Sequence, residues 1–233
     1  MGVVKSGDEV DVWRVELDQP PGVVAELRAR LGTDERTRAG RLVAARERAR
    51  FVVAHAALRQ VLSEYGGTPP AAIRFERARH GKPYVAGGPR FNLSHSGGRA
   101  LIAVSERREL GVDLERVCAK RDLLGLAGRY FAPGERAVLE ALPHEERLRA
   151  FYRCWTRKET YMKATGAGLA MRLDSFEVAF APGAPPALLA SARGRDEPSR
   201  WRFAELTAGP GFEAAIAVKG GYECIRERPL TLG

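Results

Sequence analysis

Two short stretches place acidic and basic side chains where they can do chemistry. In GVDLERV, residues 111–117, Asp113 and Glu115 are two positions apart. On a strand both leave the same face, while Val112 and Leu114 point the other way into a core. Carboxylates roughly 7 Å apart on one face repel unless a cation or basic groups sit between them. Solvated surface acids are the competing reading. In FYRCWTRKETYMKATGAGLA, from Phe151, a single acid, Glu159, stands among aromatic and basic residues. On a helix over 151–164, Phe151, Tyr152, Trp155, Glu159 and Met162 share one side, and Glu159 meets Lys163 at the i,i+4 spacing. An exposed ion pair of that kind contributes only tenths of a kcal/mol. The aromatic neighbours indicate a buried helix instead, where a glutamate needs a cation or hydrogen-bond donors. Lys158 lies on another azimuth, toward a phosphate or a partner surface. Three carboxylates from two elements suit a hard cation with oxygen ligands, Mg²⁺ foremost, which is commonly shared with substrate phosphates. Zinc finds no Cys/His spacing, and no calcium loop is present.

A second group of residues suits a phosphate. FNLSHSGG, residues 91–98, puts Ser94, His95 and Ser96 beside two glycines, so hydroxyls, an imidazole and turn N–H groups can cradle an anion. A packed histidine with one hydrogen bond is the alternative. Lys82, between Gly81 and Pro83, is either a point charge for a phosphate or an exposed turn lysine. The chain lacks a G-x-S-x-G elbow, a P-loop and a G-x-G-x-x-G fingerprint, which weighs against a hydrolase, a common ATPase and a dinucleotide fold. ATGAG at 164–168 reads as a helix stop.

These residues need elements to carry them. VDVWRVEL at 10–17 alternates as a strand, stopped by Pro20 and Pro21. A helical pattern runs from about 33 to 65, with Phe51, His55, Leu58, Leu62 and Tyr65 at spacings of three and four. Short strands are expected at 73–77, 91–96, 101–105 and 111–117, and helices at 121–130, 134–140 and 144–164. A strand over 174–180 precedes a Pro/Ala/Gly/Ser-rich surface loop or hairpin tip at 181–199, and two strands, 201–206 and 212–220, close the pattern. The order predicts two α/β halves, 1–118 and 119–233, with the site at their junction.

The whole composition agrees with a folded enzyme. The 233 residues, 45% of them hydrophobic and 29% charged, can bury a core without staples. Cys118, Cys154 and Cys224 form no disulfide framework. No apolar run is long enough for a signal core or a membrane span, which points to a cytoplasmic protein. The net charge of +9 favours an anionic partner, with a compositional bias, of which the excess of Arg over Lys and the abundant Ala and Gly are signs, as the competing explanation. A nucleic-acid module would want aromatics interleaved with an exposed basic stripe. Here they fall on the buried side, so neither nucleic acid nor membrane is expected as a partner.

GVDLERV at 111–117 and WTRKETYMKATGAGL at 155–169 resemble, in order and separation, the two signature motifs of the 4'-phosphopantetheinyl transferase superfamily. GKPY at 81–84, FNLSHS at 91–96 and RYFAPGE at 129–135 resemble its long, single-chain branch, which serves peptide and polyketide synthases. The likeness spans roughly residues 35–220. It implies an α+β fold of two similar α/β halves related by a pseudo-twofold axis, with coenzyme A in the cleft between them. It further implies a monomer that moves 4'-phosphopantetheine from coenzyme A to a serine of an apo acyl or peptidyl carrier protein, releasing 3',5'-ADP. By this resemblance Asp113, Glu115 and Glu159 surround Mg²⁺ with the pyrophosphate. Glu159, or a water it holds, takes the serine proton, and Lys163 faces the pyrophosphate or helps the leaving group. Lys158 lines the same cleft. Lys82, Ser94 and His95 hold the nucleotide end, including its 3'-phosphate. Arg50 also serves the nucleotide, and Arg38 lies near the 3'-phosphate. Two positions depart from the pattern: Glu35 stands where relatives can present a lysine, and Thr160 where Ala or Ser is usual.

Overall fold

The alternating run near the start forms β1 (Glu9–Glu16), with Val10, Val12 and Val15 buried. The computed structural model describes residues 9–119 and 122–232, the side chain of Leu169 excepted. The strand ends at Glu16, four residues short of Pro20, and Pro21 opens α1 (Pro21–Arg28), a helix outside the expected elements. Proline suits the first helical position, where its missing N–H would have no partner. The helical region expected over 33–65 is two helices, α2 (Thr33–Arg41) and α3 (Ala45–Gly66), parted where Leu42 and Ala44 turn extended. Then follow β2 (Glu76–Arg77), β3 (Pro83–Tyr84), β4 (Arg90–Ser96), β5 (Arg99–Ser105) and β6 (Leu110–Arg116).

The second cycle holds α4 (Leu123–Tyr130), α5 (Pro133–Ala141) and α6 (His144–Thr165), then β7 (Phe176–Ala179), β8 (Ala187–Ser191), β9 (Trp201–Glu205), β10 (Phe212–Lys219) and β11 (Cys224–Pro229). Residue 121, the first of the expected 121–130 helix, lies outside the described residues. Three strands fall outside the expected ones: the two-residue β3, in a turn-rich stretch; β8, in the segment read as a loop or hairpin tip; and β11, whose charged CIRERP gives no alternation to read.

The fold is α+β, with a long helix on a sheet in each half. One sheet has the order β11-β1-β5-β4, with β11 parallel to β1, and the other is β6-β10-β9, antiparallel throughout. These sheets cross the 118/119 boundary in both directions. β6, in the first half by sequence, pairs with β10, and β11 returns to β1. One apolar core lies between α1, α2, α3 and the first sheet, and another between α4, α5, α6 and the second. A third, including Val10, Val12, Leu101, Val112, Leu114 and Ile216, joins the two sheets face to face. Among the described residues no helix is long and apolar enough to cross a membrane.

Candidate active site

The site forms where the edges β4 and β6 meet under α6. The two strands share no backbone ladder. Instead the alternate residues Asn92, Ser94 and Ser96 of β4 reach across to β6. Asn92 Oδ1 accepts from the Val112 N–H at 2.9 Å, Ser94 Oγ from Leu114 at 3.3 Å and Ser96 Oγ from Arg116 at 3.1 Å. A strand with period two puts all three on one face, so a polar N-x-S-x-S run becomes a ladder of side chains. The same two serines hold the acids: Ser94 donates to Asp113 Oδ1 at 2.8 Å and Ser96 to Glu115 Oε2 at 2.8 Å. Asp113 and Glu115 do share the β6 face turned toward α6.

Glycine at 111 lets the helix approach. A Cβ there would overlap the Thr160 carbonyl and the Ala164 backbone nitrogen. Thr160 Oγ1 adds a hydrogen bond to the Ala215 carbonyl of β10 at 3.1 Å. At that separation Lys163 Nζ reaches Asp113 Oδ1 at 2.6 Å and Ser94 Oγ at 3.0 Å. Lys163 therefore pairs with the aspartate across the junction and not with Glu159 one turn back. The other oxygen, Asp113 Oδ2, is buried with no hydrogen-bond partner. Glu159, half-buried on the same side, has none shown either. Burial first, then the negative charges of Asp113 and Glu115, raise its pKa to about 7 against the opposing pull of Lys163. This arrangement is short of positive charge. One carboxylate oxygen is buried and unbonded, and a second carboxyl is pushed toward its neutral form. Among the described residues no three of His, Cys, Asp and Glu stand in a ready metal cluster.

The remaining expected residues divide. His95 lies on the opposite face of β4, toward α3. It is exposed, yet crowding by the protein and the positive charges of His55 and Lys163 lower its pKa. His55 stacks on Phe51, with ring centroids 4.0 Å apart, and Arg38 lies over the Phe51 ring at 5.4 Å. Arg38 and His55 thus both lie against Phe51, and His95 stands close enough to feel their charges and that of Lys163. Arg50 grips Asp18 with two hydrogen bonds of 2.8 and 2.9 Å beside the Gly97–Gly98 turn, and Arg46 holds the same carboxylate. Those guanidiniums keep the Asp18 carboxyl well below the usual range. Glu35 is structural: it closes the start of α2 through the Gly32 N–H and bonds His55 and buried Arg59.

Two lysines are not where the sequence reading put them. Lys158 is fully buried on the far side of α6, its ammonium bonded to both Glu135 oxygens at 2.6 and 2.7 Å and to the Phe176 carbonyl at 2.7 Å. It faces neither cleft nor surface, because two positions separate its azimuth from the side bearing Thr160 and Lys163. Lys82 is no exposed turn lysine. Its ammonium is taken up by Glu109 at 3.2 Å and by the carbonyls of Leu110 at 3.0 Å and Ala164 at 3.2 Å. Sequence reasoning overlooked Asn92, Asp18 and Glu135. The polar alternation of β4 was the readable signal for Asn92. Nothing local marks Asp18, whose arginine partners lie a helix away.

The chain's similarities bear on this arrangement. Residues 109–219 match the family model of the 4'-phosphopantetheinyl transferase superfamily, and residues 23–107 match that of the 4'-phosphopantetheinyl transferase N-terminal region. The chain is 40% identical to 4'-phosphopantetheinyl transferase HetI of Nostoc over 91% of its own length and 89% of the relative's. It belongs to the 4'-phosphopantetheinyl transferase superfamily. A 4'-phosphopantetheinyl transferase of Bacillus subtilis is 30% identical over 72% of this chain and 75% of its own. The L-aminoadipate-semialdehyde dehydrogenase-phosphopantetheinyl transferase of Xenopus laevis is 28% identical over 79% and 67%. Within this superfamily member the two model matches meet between β5 and β6, just before the strand that carries Asp113.

Proposed function

We propose that this superfamily member transfers the 4'-phosphopantetheine group of coenzyme A to a serine of an apo carrier protein, with 3',5'-ADP as the other product. The observation that carries the reading is the Asp113–Glu115–Glu159–Lys163 group at the junction of the two sheets, in a chain of this family. The buried, unbonded Asp113 Oδ2 and the displaced pKa of Glu159 fit a hard divalent cation. Asp113, Glu115 and Glu159 would hold Mg²⁺, which when bound would neutralise and orient the pyrophosphate. Lys163, already poised on Asp113, offsets negative charge on the departing phosphate. Glu159 takes the serine proton directly or through a water. His95, Arg38 and Arg50 bind the nucleotide end; Arg50 must exchange Asp18 for phosphate to do so.

The carrier substrates we assign are acyl and peptidyl carrier domains of polyketide and nonribosomal peptide assembly, on the strength of the GKPY, FNLSHS and RYFAPGE segments. Every residue of the group comes from one chain, which supports action as a monomer, and we place the enzyme in the cytoplasm with its substrates. The test is incubation with coenzyme A, Mg²⁺ and an apo carrier domain. A carrier mass gain of about 340 Da, the size of the carried group, is expected. A carrier of unchanged mass across acyl and peptidyl types would overturn the reading.

A further inference from the structure

Lys82 belongs to the short hairpin of β2 and β3, yet all the contacts of its ammonium lie elsewhere. The Ala164 carbonyl is in the last turn of α6, next to Lys163. The Leu110 carbonyl opens β6, three residues before Asp113. Glu109, which also binds Arg90 at 3.1 Å, completes the set. The side chain is 16% exposed, and its methylenes pack at Gly166, where an added Cβ would sit 3.4 Å from Lys82 Cδ. Two residues before Lys82, the hairpin's His80 carbonyl lies 3.2 Å from where a Cβ would sit at Gly168, two residues beyond Gly166. Burial lowers the Lys82 pKa, and the Glu109 carboxylate opposes that shift. A cation at a helix C-terminus is favoured both by the partial negative charge there and by carbonyls that lack intrahelical donors.

We propose that Lys82 is a positioning residue for the transfer reaction: its ammonium ties the end of α6 to the start of β6 and so sets the separation between Lys163 and Glu159 on one side and Asp113 and Glu115 on the other. On this assignment, which rests on the transferase reading, Lys82 governs turnover and does not read the 3'-phosphate. To bind a phosphate, the ammonium would have to give up three oxygens it already holds. A clasp needs all three, and an ångström of slack between catalytic groups costs about 100-fold in rate.

The test compares Lys82→Met and Lys82→Arg with the wild type. Calorimetry measures binding of coenzyme A and of 3'-dephospho-coenzyme A, turnover is measured on an apo carrier domain, and amide exchange is followed at 110–113 and 164–168. In Lys82→Met, turnover at saturating coenzyme A should fall about 10–100-fold. The affinity ratio of the two nucleotides should stay within about twofold, and both segments should exchange faster. Lys82→Arg keeps a phosphate-binding charge but not the compact ammonium, so it too should lose turnover. A collapsed nucleotide ratio with normal exchange, or full activity of Lys82→Arg, would overturn the clasp. If Lys82→Met does not fold, the Arg variant decides. If the wild type modifies no carrier, the transferase reading fails on its own, while exchange still judges the clasp: faster exchange in both segments supports it and unchanged exchange overturns it.

Discussion

The two long helices, α3 and α6, are each 22 residues long and each ends at a left-handed glycine, Gly67 and Gly166. Their interiors differ. α3 buries Val53, Ala54, Ala56, Ala57, Val61 and Leu62, and its one buried charge, Arg59, is answered by Glu35 and the carbonyls of Pro70 and Ile73. α6 buries Thr156, Arg157, Lys158 and Thr160, and carries Glu159 and Lys163 into the junction. Even within α6 the charges divide. Glu135 faces Lys158 with every oxygen used, by the ammonium and by the Ala132 and Val178 N–H groups. Glu159, on the neighbouring position, has no such partner shown and a pKa of about 7. A buried acid with complete partners holds a fold. One left short of positive charge at a junction is available for a cation, a proton or a substrate.

Removing the satisfied acid should have the largest effect. Glu135→Ala leaves the Lys158 ammonium buried and uncompensated, and should cost about 3–5 kcal/mol of stability by chemical denaturation. A loss under about 1 kcal/mol would erase the distinction, since exposed pairs reach that value. Next, Asp113→Ala should lower turnover about 100-fold or more, because it removes one of the carboxylates that would hold the cation, while costing less stability than Glu135→Ala, since the Lys163 ammonium it leaves is only part-buried. Excess chelator should abolish the wild-type reaction in the same assay.

The pH dependence sharpens the contrast further. The folded-state pKa of Glu159 lies above the unfolded value of 4.5, so the folded protein binds more protons between pH 4.5 and about 7. This residue's contribution to stability is therefore complete below 4.5 and is lost as pH rises through 7, by something on the order of 1 kcal/mol for a half-buried group. Glu159→Gln should flatten that part of the profile, and an unchanged slope would contradict the assignment. The smallest effect belongs to the side-chain ladder: Ser96→Ala should cost about 1 kcal/mol in stability, the worth of a hydrogen bond.

Much of α6 and β6 was readable because their signals are local. Period two in GVDLERV put Asp113 and Glu115 together, and the glycine that opens the motif is where α6 comes close. Helical spacing also put Glu159 and Lys163 on the junction side. Most of the misreadings share one physical origin, partners distant in sequence. Lys158 looked available because Glu135 is contributed by another helix. Lys82 looked like a turn residue because its acceptors lie on β6 and α6. β11 pairs with β1 across nearly the whole chain, and its charged residues gain order there: Arg226 and Arg228 both bind buried Asp11, as does the Tyr65 hydroxyl. α1 was overlooked for a different reason, since proline was read only as a strand stop when it also suits a helix start.

The contrast within α6 is tested most directly by Glu159→Gln, with turnover on an apo carrier domain at saturating coenzyme A and the unfolding midpoint recorded on the same sample at pH 7.5. Turnover should drop about 100-fold, and the midpoint should stay level or rise, because a like charge has been removed from beside Asp113 and Glu115. A lowered midpoint with turnover per folded molecule unchanged would mean that Glu159 holds the fold and that the chemistry lies elsewhere.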